Sequence, residues 1–111
     1  IIGRDKDMII SGGLNVYPKE IESILDRLNG VTESAVIGVP HADFGEAVVA
    51  VIVRAPYLTK QGQLTETQII TEMKATIAGF KVPKQVHFVD SLPRNTMGKV
   101  QKNILRETYT S

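Results

Sequence analysis

The stretch Ala47–Arg54 constrains this chain most, because Val48, Val49, Val51, Ile52 and Val53 leave no polar position between Ala47 and Val53. A strand sends successive side chains to opposite faces, so a run that is apolar at every position must be covered on both sides. β-Branched residues suit such a strand and are poorly suited to a helix. With 111 residues and 42% apolar composition, the chain is long enough for one domain with a modest core around this strand.

The neighbouring segments supply its partners. A second strand is predicted at about Ser34 to Val39, and Pro40-His41-Ala42-Asp43-Phe44-Gly45-Glu46 reads as the hairpin connection between the two, which makes the pair antiparallel. Residues 18 to 29 read as a helix: Pro18 suits its first turn, Glu20 and Glu22 favour its positive end, and Gly30 terminates it. Ile21, Ile24, Leu25 and Leu28 form one apolar stripe along it. Residues 55 to 64 read as a surface loop, and a second helix starts at Thr65, where Thr65 and Gln68 have capping-box spacing, and runs to near Gly79 with Ile69, Met73 and Ile77 inward. Short strands are expected at Met8 to Ser11 and Val86 to Val89, and a last helix from about Val100 to Tyr109 packs through Ile104 and Leu105. The fold class is α+β: a small sheet of short, mostly antiparallel strands packed with about three helices, as a single domain over residues 1–111.

Charge and composition narrow the function classes. Residues 1–80 hold seven Lys/Arg against ten Asp/Glu, while residues 81–111 hold six against two, so the last third is basic by four within a chain of net charge +1. A local excess of this kind suits a polyphosphate, and a solvated basic face at Lys102 and Arg106 is the plainer account of part of it. Nucleic acid fits poorly, since no aromatics are interleaved with the basic residues to stack bases. The chain has no cysteine, so disulfide and thiolate chemistry are excluded and an intracellular, cytoplasmic location is the expectation. No apolar run approaches the ~18 to 20 residues of a membrane span. His41 and His87 lack companions at metal-ligand spacing and read as structural or surface residues, and Glu20 and Glu22 read as helix N-terminal charges and not as a catalytic pair.

Two polar segments remain, one near each end. Leu92-Pro93-Arg94-Asn95-Thr96-Met97-Gly98-Lys99 sets a lysine on a turn, where it is either a catalytic cation or simply solvated charge. It is not a Walker loop, because Pro93 stands where that loop has its first glycine and Val100 follows the lysine. Ser11-Gly12-Gly13 is either a turn between two strands or a place where backbone approaches a ligand closely.

Taken together, Gly3-Arg4-Asp5-Lys6-Asp7 through Ser11-Gly12-Gly13-Leu14-Asn15-Val16-Tyr17-Pro18-Lys19-Glu20-Ile21-Glu22 and Pro93-Arg94-Asn95-Thr96-Met97-Gly98-Lys99 resemble the signatures that open and close the small C-terminal domain of adenylate-forming enzymes. That superfamily comprises acyl-CoA synthetases, peptide-synthetase adenylation domains and beetle luciferases. The resemblance covers essentially the whole chain, and in detail it is most similar to malonyl-CoA synthetases, with medium- or long-chain fatty acyl-CoA synthetases as the alternative.

The resemblance implies an ATP-dependent, AMP-forming acid–CoA ligase whose large N-terminal domain is absent from this chain, an excised domain inactive alone. ATP, CoA and a carboxylic acid are its substrates, and Mg2+ accompanies ATP without being bound by this domain. Lys99 matches the adenylation lysine that contacts ATP, and Arg4 matches the arginine that contacts the nucleotide ribose; without the resemblance, Arg4 reads as an ion-pair partner of Asp5 or Asp7. Lys6 matches the hinge residue, and Ser11, Gly12 and Gly13 match the loop lining the CoA tunnel, with Lys84 a further CoA contact. Pro93, Thr96, Gly98, Lys99 and Lys102 also resemble the recognition pattern of lysine acetyltransferases, which would remove the charge of Lys99. A stand-alone nucleotide- or CoA-binding or regulatory module is the reading from a different class.

Overall fold

The computed structural model describes residues 8–28, 30–43, 45–54 and 65–110. Its elements are β1 (Ile9–Ser11), β2 (Leu14–Val16), α1 (Pro18–Leu25), β3 (Val31–His41), β4 (Gly45–Arg54), α2 (Glu66–Thr76), a 3-10 turn (Gly79–Lys81), β5 (Gln85–Val89) and α3 (Lys102–Tyr109). The expected surface loop at 55–64 lies outside the described residues, as do Arg4 and Lys6.

β4 is the centre of the sheet and every residue from Ala47 to Val53 is buried. β3 pairs antiparallel with it from Arg54 back to Gly45. The opposite edge of β4 is shared by β1, which meets it at Gly45, and by β5, which runs parallel to it along Val49–Val53. The order is β2-β1-β4-β3, and the sheet is antiparallel but for β5, which follows β4 through α2 as a crossover unit.

The period-2 alternation of β4 divides the interior into two cores. Val48, Ala50 and Ile52 face one core with Ile9, Val16, Val36, Val86, Ile21 and Leu25 of α1 and Ile69 and Met73 of α2. Val49, Val51 and Val53 face the other with Ile37, Leu92 and Leu105 of α3. Both faces are covered, as the apolar run requires.

Three details depart from expectation, each for a tertiary reason. Pro40 lies within β3, opposite Glu46, so the hairpin loop is shorter than 40–46; β3 is an edge strand, where a residue without an N–H is tolerated. The α-helix of α1 stops at Leu25 and tightens into i→i+3 turns, Arg27 N–H to Ile24 and Leu28 N–H to Leu25, before Gly30 reverses the chain at φ 98°. Ile104 is 38% exposed, so α3 packs through Leu105 and, one turn on, Tyr109, and not through Ile104 and Leu105 together. The capping box is present: Gln68 N–H donates to Thr65 Oγ1 at 3.2 Å and Thr65 N–H to Gln68 Oε1 at 2.9 Å.

Truncating the centre of β4 tests this layering. Ile52→Ala should cost about 2–5 kcal/mol in urea unfolding, the usual range for an emptied core site; a loss below about 1 kcal/mol would mean that Ile52 does not fill the core on its face of the strand.

Candidate functional site

The Lys99 turn is built from its own sequence. Asn95 N–H donates to the Lys99 carbonyl at 3.0 Å and Gly98 N–H to the Asn95 carbonyl at 2.9 Å, which closes a tight hairpin with a bridge between Arg94 and Val100. The Asn95 side chain finishes it, its Oδ1 accepting from Met97 N–H at 2.9 Å and Lys99 N–H at 3.0 Å. Gly98 occupies φ 84°, a region costly to residues with a Cβ. Leu92 roots the segment in the second core, and Gln101 N–H donates to the Pro93 carbonyl at 2.8 Å across its base.

Two ion pairs fasten this turn to the rest of the fold. Arg94 donates through Nη1 to the Gly98 carbonyl at 2.7 Å and pairs through Nη2 with Glu33 on β3. Lys102, the first residue of α3, pairs with Glu22 of α1 at 2.7 Å, with side chains only 17% and 19% exposed. Lys102 is therefore not part of a solvated basic face. Lys81 pairs with Glu20 at 3.1 Å. Three of the six basic residues of the last third are thus engaged by α1 and β3, and the excess of positive charge is not a diffuse patch. Lys99 is exposed and forms no ion pair among the described residues. Beside it Met97 is 89% exposed.

The other candidate surface is the two-residue turn between β1 and β2. Gly12 and Gly13 have φ of 61° and 81°, the pattern of a type I′ turn, and both are exposed with open space where a Cβ would stand. Turn geometry alone calls for both glycines. Ser11 is buried at 4% exposure, so it underlies the turn and the two glycines form its tip. Lys84 N–H donates to the Val48 carbonyl at 2.8 Å, which sets it on the edge of β4 that β1 shares, three residues from Gly45 and so roughly 10 Å along the strand. The sheet order leaves the Gly12-Gly13 turn at the β1–β2 edge and the Lys99 turn at the β3 edge.

The remaining polar residues are structural. His41 Nδ1 accepts from Asp43 N–H at 3.0 Å, and His87 stacks on Tyr109 at 4.2 Å. Among the described residues no group of three His, Asp or Glu side chains is arranged to hold a metal ion, and no helix is long and apolar enough to cross a membrane. What sequence reasoning missed was the pairing of Glu22 with Lys102: it places the start of the last helix at about Val100, whereas α3 begins at Lys102, where the dipole disfavours a cation without a partner.

The fold thus carries a lysine turn at one edge of the sheet and a diglycine turn at the other, and the family model for the AMP-binding enzyme C-terminal domain matches residues 20–99. The chain belongs to this family. Its relatives include a CoA ligase named for a methyl-dioxo-octahydroindenyl-propanoyl group from Rhodococcus jostii (strain RHA1), 55% identical over 96% of this chain and 20% of the relative. A long-chain-fatty-acid–CoA ligase of Mycobacterium tuberculosis is 45% identical over 97% of this chain and 20% of the relative. Among solved structures, ATP-bound MatB from Rhodopseudomonas palustris superimposes with a TM-score of 0.88 at 60% identity, over 96% of this chain and 20% of that one. The chain spans about a fifth of the length of these relatives. AMP-binding C-terminal domains of this kind are thus one part of much longer ligases.

Strain at the turn is directly testable. Gly98→Ala should destabilise the domain by about 1 kcal/mol because its φ is positive; Gly79→Ala, with no positive φ and no atom within 4 Å of the added Cβ, should be neutral within about 0.5 kcal/mol. Equal effects of the two in thermal unfolding would contradict the turn geometry.

Proposed function

We propose that this domain is the mobile C-terminal part of an ATP-dependent, AMP-forming acid–CoA ligase, and that Lys99 assists formation of the acyl-adenylate. The observation that carries this reading is an exposed lysine held on a hydrogen-bonded turn, without an ion-pair partner among the described residues, in a chain of the AMP-binding C-terminal family. In the adenylation step a carboxylate oxygen attacks the α-phosphate of ATP and pyrophosphate departs. The two anions repel, and a positioned ammonium offsets that repulsion where charge accumulates. A charge pair at ~4 Å with an effective dielectric of ~20 is worth ~4 kcal/mol, or roughly a thousandfold in rate.

The large N-terminal domain of the same enzyme supplies the acid pocket and the remaining contacts to ATP, with Arg4 at the nucleotide ribose and Mg2+ brought in with ATP. After adenylation, rotation about Lys6 withdraws the Lys99 edge and brings up the opposite one. There the Gly12-Gly13 backbone, supported by buried Ser11, lies close to the pantetheine of CoA, with Lys84 toward its phosphates. ATP-bound MatB supports ATP as a substrate of this reading. Malonate is the acid favoured by the detailed sequence resemblance; relatives named as long-chain-fatty-acid–CoA ligases support a fatty acid as the second reading. The enzyme is cytoplasmic in this account, and acetylation of Lys99 by a lysine acetyltransferase would switch off its first step.

Separate half-reactions test the division of labour in the full-length ligase. Lys99→Ala should lower adenylation by roughly 100- to 1,000-fold and spare thioester formation from supplied acyl-adenylate. Lys6→Pro should do the reverse, and equal losses in both steps for both variants would refute the scheme.

A further inference from the structure

We propose that Lys102 and Glu22 are positioning residues for Lys99, a role that rests on the reading of Lys99 as the adenylation lysine. Lys102 stands three residues beyond Lys99 and begins α3, where the positive end of the helix dipole opposes a cation unless a carboxylate compensates it. Glu22 provides that carboxylate from the other side of the sheet. Its Oε2 lies 2.7 Å from Lys102 Nζ and also accepts Val36 N–H at 2.8 Å, so it is fixed by β3 before it meets α3.

The pair is one of two straps flanking Lys99. Arg94 ties the incoming strand of the turn to Glu33 of β3, and Lys102 ties the outgoing strand to α1. Between the straps the backbone of Lys99 is held by Asn95, while its side chain reaches solvent. Release of the Lys102 strap leaves α3 docked through Leu105 but frees the end of the turn that carries Lys99. The pair therefore orients the ammonium in addition to joining α1 and α3.

The test uses Lys102→Met, which keeps the aliphatic stem and removes the charge, with Lys102→Arg as the conservative variant. In this 111-residue chain, amide exchange at Met97 and Lys99 should quicken about tenfold more than that at Val49 and Val51 in Lys102→Met, and Lys102→Arg should restore protection. In the full-length ligase the same variant should lower the maximal adenylation rate roughly 10- to 100-fold with the KM for ATP and the thioester half-reaction within twofold of wild type. Unchanged exchange at Met97 and Lys99, a uniform rise at all amides, or equal loss in both half-reactions would overturn the positioning role. Lys99→Ala serves as the control: if it leaves adenylation intact, the function proposed for Lys99 falls, and with it the positioning role, whatever the exchange data show of the strap.

Discussion

The Glu22 carboxylate is the constraint on which the rest of this structure hangs. β3 is an edge strand, so its outward N–H groups have no strand to pair with, and Glu22 satisfies the one at Val36 while neutralising Lys102. α1 belongs to one core and α3 to the other, and this single side chain joins them around the open edge of the sheet. On the other side of β4, Glu66 of α2 accepts Val86 N–H of β5 at 2.9 Å in the same way, and Glu46 accepts Ile10 N–H at 2.8 Å next to the single β1–β4 pairing at Ser11 and Gly45. Helix and hairpin carboxylates thus close a small sheet that has too few strands to close itself.

That economy determines how the functional surfaces are presented. A sheet whose edges are capped by side chains can offer a different turn at each edge without further secondary structure. The lysine turn takes the β3 edge and the diglycine turn the β1–β2 edge, and the central strand between them is buried from Ala47 to Val53. In the proposed function, a domain of this design would change what it presents by turning as a body. The charges follow the same logic: the ion pairs to Glu20, Glu22 and Glu33 use the cations that hold the frame and leave Lys99 outward.

Much of this was legible in the sequence because it depends on local period or on short-range chemistry. The apolar run of β4 dictated coverage on both faces, the Ile21–Leu25 stripe gave α1, and Thr65 with Gln68 marked the start of α2. The Lys99 turn was legible through its Asn and Gly, and the role proposed for Lys99 rests on the resemblance they carry. Parallel β5, Pro40 inside a strand, the packing of α3 through Leu105 and Tyr109, and the pairing of Lys102 with Glu22 were not, since each is decided by which edge or face is free after the sheet assembles. A lysine at a helix start looks like solvated charge until the element opposite it is known.

The most direct measurement is a double-mutant cycle on Glu22→Gln and Lys102→Met, read by urea unfolding of the 111-residue chain. Glutamine preserves an acceptor for Val36 N–H, so the cycle isolates the ion pair from the edge hydrogen bond. The account predicts a coupling of about 1 kcal/mol or more, as expected for a well-formed and mostly shielded pair. Strictly additive losses would contradict it and would mean that α1 and α3 are held to the sheet independently.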